Sequence, residues 1–104
     1  MSDWELVRRC KHDDRQAFRE LVERYQRKVV AIALGMLHDR EDALDVAQEA
    51  FSKVFTNINK FKGESSFYTW LYRIVVNLSI DRQRQRSRRS SFERHQSGGE
   101  DDGD

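Results

Sequence analysis

Residues 14–37 read DRQAFRELVERYQRKVVAIALGML, and this stretch decides the fold. Its apolar side chains recur every three or four residues, which is the spacing of one face of an α-helix. The stretch therefore predicts a long helix, capped at its start by Asp13 or Asp14. The predicted buried face consists of Phe18, Leu21, Val22, Tyr25, Val29, Ile32, Ala33 and Met36.

The same spacing predicts further helices before and after this one. Residues 2–11 form the first, with Trp4, Val7 and Cys10 facing inward. A third helix begins between Asp39 and Glu41, because acidic side chains favour the positive end of a helix dipole. It is expected to bury Leu44, Ala47, Phe51, Val54, Phe55 and Ile58.

A fourth helix follows a loop over residues 59–65, with Ser66 as its N-cap. It is expected to bury Phe67, Leu71, Ile74, Val75 and Leu78. The chain has no proline, five glycines and no strand-like alternation, and its 104 residues suffice for one domain. The predicted fold is all-α: a compact bundle of about four helices over residues 1–89, with a disordered acidic tail over residues 90–104.

Charge is distributed unevenly along the chain, although the net charge is only +1. Residues 82–94 contain six arginines and one acid, whereas residues 39–49 contain five acids and one arginine. The terminal residues 100–104 add four acids. A basic patch and an acidic patch on one domain indicate two different partners.

Several classes of protein are excluded by what the sequence lacks. The single Cys10 rules out an intramolecular disulfide and favours a reducing compartment. His12, His38 and His95 show no metal-ligand spacing, so neither a metal nor another cofactor is expected. No phosphate loop or nucleophile motif is present, so the protein is not predicted to be an enzyme. No apolar run approaches the roughly 18 residues of a membrane span, and acids precede the first basic residue, so a cytoplasmic protein is expected.

The fourth helix combines aromatic, amide and basic side chains. It opens with FYTWLYR at 67–73, and a single face carries Trp70, Arg73, Asn77, Asp81 and Arg84. Aromatic rings stack on unpaired bases for about 1–3 kcal/mol per base, asparagine bonds base edges, and arginine neutralises phosphates. The pattern favours contact with partly single-stranded nucleic acid. The alternative is that the rings are core and rim and the arginines a solvated helix end.

The third helix carries a polar row of Asp42, Asp45, Gln48 and Glu49. Carboxylates and amides in such a row are suited to receive arginines from another protein. An ordinary solvated helix face explains the same residues equally well.

Three stretches resemble a known family: FRELVERY at 18–25, DALDVAQEAF at 42–51 and FKGESSFYTWLYRI at 61–74. Over residues 4–89 the chain resembles region 2 of the extracytoplasmic-function (ECF) group of bacterial sigma factors. The resemblance implies a helical domain that joins core RNA polymerase and recognises the promoter −10 element while the strands separate.

In that family the helix with Asp-x-x-Gln-Glu docks on the arginine-bearing clamp helices of the β′ subunit. The resemblance therefore assigns polymerase binding to Asp45, Gln48 and Glu49, with Asp42 and Phe55 flanking them. The loop before the fourth helix holds a base flipped out of the non-template strand, at a cost of roughly a few kcal/mol of unstacking. The implied DNA-binding loop residues are Lys60, Phe61, Lys62, Gly63, Ser65 and Ser66.

On the fourth helix, similarity implies DNA contacts from Tyr72, Arg73 and Asn77, and Arg84 is expected to contact phosphate. Asp81 either accepts from a cytosine amino group or faces solvent. Nothing after Arg94 resembles the family's −35-reading domain, so the chain is expected to be a fragment that depends on polymerase for DNA affinity. Many relatives are held inactive by an anti-sigma factor, so the resemblance admits such a partner here, although no residue of the sequence indicates it. A general single-strand-binding module and a pure protein-interaction bundle are the rival functions.

Overall fold

The computed structural model describes the backbone of residues 1–96 and the side chains of residues 1–90. This part of the chain contains four α-helices: α1 (Asp3–Cys10), α2 (Arg15–Leu37), α3 (Arg40–Asn57) and α4 (Phe67–Gln96). One 3₁₀ turn, Ile58–Lys60, follows α3. No strand occurs within residues 1–96, and the predicted all-α helical bundle is confirmed.

Side-chain caps fix where the helices begin. Asp14 accepts from the backbone N–H groups of Gln16 and Ala17, and the Ser66 hydroxyl accepts from that of Thr69. At α1, Ser2 and Glu5 form a reciprocal capping box. Such caps contribute about 1 kcal/mol each, and the predicted helix starts at residues 14 and 66 are confirmed.

Helix α2 lies at the centre and packs against α1, α3 and α4. Three side chains that were predicted to be buried are instead exposed: Trp4 (46%), Leu44 (42%) and Phe55 (51%). On α3, Leu44 and Phe55 each follow a fully buried residue, Ala43 or Val54, and therefore lie about 100° further round the helix. On α1 the buried residues are Leu6 and Val7, and Trp4 packs edge-on against Phe61 instead.

The end of α4 lies further along the chain than predicted. Its backbone is helical through Gln96, because residues 90–96 contain neither glycine nor proline and nothing interrupts the helix after Arg89. The division into a domain over 1–89 and a tail over 90–104 stays a prediction. Residues 97–104 lie outside the described residues.

Candidate nucleic-acid and protein interfaces

The loop before α4 encloses a pocket of about 400 Å³ together with the first turn of α1. Four of the predicted loop residues line it: Phe61, Gly63, Ser65 and Ser66. The predicted Lys60 and Lys62 are exposed beside them in the chain. The remaining lining residues are Ser2, Asp3, Trp4 and Phe67, none of which the sequence had placed at this site.

Aromatic rings form the floor of this loop pocket. Phe61 is buried and stacks on Trp70, with ring centroids 4.9 Å apart, and it meets Phe67 edge-on at 6.2 Å. Trp70 is half-buried as a result, so one face of its ring is already covered. For Trp70 the core-and-rim interpretation is therefore the one that the packing supports. The exposed part of the predicted α4 face begins after it.

Gly63 is required by the shape of the loop. Its φ of +78° lies in the left-handed region, which favours glycine. A Cβ added there would lie 3.3 Å from Cζ3 of Trp4, so the indole ring also occupies the space that a side chain needs. The loop is further held by Lys11, whose ammonium donates to the Phe61 carbonyl and lies 5.5 Å from the Trp4 ring centroid.

A second set of contacts fastens α1 to α2. The Tyr25 hydroxyl donates to Oδ2 of Asp3, and Nη1 of Arg24 lies 2.9 Å from Oδ1 of the same carboxylate. Burial and the bond to Asp3 raise the pKa of Tyr25 to about 12, so its hydroxyl remains a donor at neutral pH. The Tyr25 ring packs against Phe67 and stacks on Tyr68 at 5.7 Å. The first turn of α1 is thereby held beside the start of α4.

Further along α4, the side chains predicted to contact DNA are exposed: Tyr72, Arg73, Asn77, Asp81 and Arg84. Tyr72 is 45% exposed, and its ring centroid lies 6.3 Å from that of Tyr68. Asp81 and Arg84 approach each other to 4.0 Å across a solvated surface, where an ion pair contributes little. Arg73, Asn77, Asp81 and Arg84 share one face of the helix and form an exposed row along α4.

Two other arginines of α4 turn towards α3 and bind Asp42. Arg82 Nη1 lies 2.7 Å from Oδ1 of Asp42, and Nε of Arg86 lies 2.8 Å from Oδ2. Arg86 also donates to the carbonyl of Leu37, and Gln83 donates to that of Met36, so α4 caps the last turn of α2. Asp42, a predicted polymerase contact, is thus engaged within the chain.

Replacing Asp42 by asparagine is expected to lower the midpoint of thermal unfolding at pH 7. The hydrogen bond from Arg86, together with the positive charges of Arg86 and Arg82, holds the pKa of the Asp42 carboxyl below its usual 3.8. A carboxyl whose pKa is lower in the folded state than in the unfolded state stabilises the fold at pH values above its unfolded-state pKa. This stabilisation is lost as the pH falls through the folded-state pKa. The difference in midpoint between wild type and Asp42→Asn should therefore shrink below about pH 4.

Unfolding followed by circular dichroism at pH 7 and at pH 3 measures this difference. Glu49→Gln removes an equal charge from an exposed position of the same helix and is the matched control. Equal midpoints for Asp42→Asn and Glu49→Gln at pH 7 would show that the arginine contacts do not stabilise the fold.

The rest of the polar row on α3 points outward. Asp45, Gln48 and Glu49 are exposed, and Asp45 approaches Arg82 only to 3.8 Å. Phe55 packs edge-on against Phe18 at 5.1 Å and remains half-exposed. Of the predicted polymerase contacts, Gln48 and Phe55 line a groove of about 560 Å³ between α2 and α3. The other residues that line it are Arg15, Phe18, Arg19, Phe51 and Ser52.

The described residues offer neither a metal site nor a membrane-spanning helix. No group of three or more His, Cys, Asp or Glu side chains there could hold a metal ion. No helix in that part of the chain is long and apolar enough to span a membrane. The free Cys10 is half-buried, and burial raises the pKa of its thiol to about 11, which disfavours the reactive thiolate.

Comparison with known proteins gives the class of this domain. Residues 21–89 match the family model of Sigma-70 region 2. An engineered region 2 of sigmaE, solved by NMR in complex with GTAAAA, superposes with a TM-score of 0.79 at 38% identity, covering 86% of this chain and 93% of that one. The chain belongs to the Sigma-70 region 2 family.

Individual relatives show which group of sigma factors the chain resembles. The chain is 44% identical over 87 residues to the RNA polymerase sigma-H factor of Pseudomonas aeruginosa, covering 84% of this chain and 45% of that protein. It is 49% identical over 77 residues to the ECF RNA polymerase sigma-E factor of Haemophilus influenzae, covering 74% and 40%. The predicted resemblance to an ECF sigma factor region 2 is confirmed. The chain spans less than half the length of these relatives.

Proposed function

We propose that this domain directs transcription initiation by binding core RNA polymerase through α3 and the promoter −10 element through the loop pocket and α4. It recognises the element as separated non-template strand, acts in the cytoplasm, and performs no catalysis of its own. The observation that carries the proposal is the loop pocket, because Ser66 and Phe67 at the start of α4 line it and the same helix carries the exposed row. The similar region 2 in complex with GTAAAA supports single-stranded DNA as the ligand.

The loop pocket has the size and lining that an extruded base requires. Its volume of about 400 Å³ falls within the roughly 300–1,000 Å³ of small-molecule sites. Contacts with aromatic side chains and a few polar groups compensate for the free energy that is lost when a base is unstacked. Lys60 and Lys62 are exposed next to the lining residues in the chain, where they would neutralise backbone phosphates. Tyr72, Arg73 and Asn77 are exposed further along α4 and would contact the following part of the DNA strand.

The outward side chains of α3 support docking on the arginine-bearing clamp helices of the β′ subunit. Asp45, Gln48 and Glu49 are free to accept hydrogen bonds from arginine, which binds carboxylates in a fork. The half-exposed Phe55 adds an apolar contact at the border of the groove. Asp42 is already satisfied by two arginines of α4, so the docking proposal rests on the other residues. An anti-sigma factor would inhibit by covering these surfaces.

The test is a panel of short single strands, beginning with GTAAAA, measured with the chain alone and with the β′ clamp helices added. We expect weak but sequence-dependent binding alone and tighter binding with the clamp helices. Binding that ignores both sequence and clamp helices would favour the alternative, a general single-strand-binding module that uses the exposed Arg84, Arg88 and Arg89.

Asn77→Ala is expected to weaken binding selectively, because an amide that reads a base edge discriminates by about 1–3 kcal/mol. Arg84→Ala, on the same exposed row, should instead weaken every sequence alike and reduce the salt slope by about one unit. Fluorescence anisotropy at several salt concentrations separates the two effects. If Asn77→Ala also weakened all sequences equally, Asn77 would be a backbone contact.

A further inference from the structure

We propose that the first turn of α1 forms the second wall of the loop pocket, and that Asp3 recognises the exocyclic amino group of the extruded base. This inference rests on the proposed function, because it concerns which base the loop pocket accepts. Its basis is a juxtaposition: Ser2, Asp3 and Trp4 lie far from residues 61–67 in sequence and line the same pocket.

The wall is held in place from two sides. Asp3 is bound by Arg24 and Tyr25 of α2, so its carboxylate has a fixed direction. Trp4 packs edge-on against Phe61 at 6.2 Å and lies over Gly63. A base entering the loop pocket would therefore meet the loop on one side and a preorganised turn of α1 on the other.

The hydroxyl groups of the loop pocket have their protons committed inside the protein. Ser65 donates to the Ser66 carbonyl, and the Ser66 hydroxyl donates to Oγ1 of Thr69. The Ser2 hydroxyl donates to Oε1 of Glu5. With the three hydroxyl protons used in this way, the hydroxyl lone pairs and the Asp3 carboxylate remain as acceptors, which favours a ligand edge that carries N–H groups.

Asp3 is the charged acceptor among these lining residues. Each of its oxygens accepts one bond, from Arg24 or from Tyr25, and a carboxylate oxygen has a second lone pair. Its side chain is 29% exposed, and Arg24 balances its charge, so a nearby phosphate backbone is repelled less. Adenine and cytosine present an amino group to such an acceptor. Thymine presents an oxygen in the corresponding place and is disfavoured.

The experiment measures binding of the full chain to GTAAAA by fluorescence anisotropy. Each adenine in turn is replaced by the purine nucleotide that lacks the 6-amino group. At one position this replacement should weaken wild-type binding about tenfold or more, since a hydrogen bond to a charged group is lost. Asp3→Ala, which removes both acceptor oxygens, should bind the parent and the substituted strand equally at that position.

Tyr25→Phe is the control for the docking of α1, because it removes a bond to Asp3 and leaves the carboxylate in place. Arg24 still holds the carboxylate in this variant, so it is expected to keep the tenfold preference. Equal wild-type binding of all purine-substituted strands would overturn the inference, whatever the variants do, and so would a preference that survives Asp3→Ala. If wild type showed no sequence preference of any kind, the proposed function would fail as well, so the two failures are distinguishable.

Discussion

Glu49→Arg and Asp45→Arg are each expected to reduce capture of core RNA polymerase by at least about 100-fold, because like charges brought together across an interface cost several kcal/mol. Both side chains are exposed on α3, so reversal should leave the fold intact. Glu49→Arg is the cleaner variant, since Asp45 lies 3.8 Å from Arg82 and its reversal also places two arginines together. Pull-down of core polymerase measures the loss, and circular dichroism measures the helix content.

Glu23→Arg is the matched control for this experiment. It makes the same change in charge at an exposed position of α2, outside the polar row of α3. Polymerase capture should survive it, and all three variants should still bind GTAAAA. Undiminished capture by Glu49→Arg would remove α3 from the docking interface.

Gly63→Val is expected to reduce binding of GTAAAA by at least about tenfold, because a β-branched residue at positive φ is a genuine outlier. Its Cβ would also lie 3.3 Å from the Trp4 ring. The loop must therefore rebuild, and the loop pocket loses its shape. Polymerase capture should be unaffected, because the outward side chains of α3 do not contribute to the loop pocket.

Gly35→Ala provides the comparison within the same chain. Gly35 lies in α2, and a Cβ there meets nothing within 4 Å, so this substitution should leave both activities unchanged. In an exposed helical position, alanine is about 1 kcal/mol more favourable than glycine, so the midpoint of unfolding should rise. DNA binding by Gly63→Val at the wild-type level would show that the loop pocket does not hold the base.

Local signals in the sequence were sufficient to predict the helices. The caps at Asp14 and Ser66 act on backbone groups within three residues, and the apolar spacing of α2 follows from helical geometry. The spacing of apolar residues along a helix does not show which edge of the apolar face is buried by neighbouring helices. Trp4, Leu44 and Phe55 were predicted to be buried, but each lies at the border of the buried face of its helix.

The candidate sites were predictable only where neighbours in sequence are also neighbours in space. The loop residues 61–66 and the outward row of α3 are of that kind. The engagement of Asp42 by Arg82 and Arg86 joins positions forty or more residues apart, and no local pattern indicates it. The contribution of Asp3 and Trp4 to the loop pocket was missed for the same reason.

The salt bridges from Asp42 to Arg82 and Arg86 have a consequence for binding. It joins the helix proposed to dock on the enzyme with the helix proposed to follow the strand. Anchoring one of them orients the other, so the two helices do not have to be ordered relative to each other when DNA binds. The domain would then hold RNA polymerase and the separated DNA strand in a fixed orientation relative to each other.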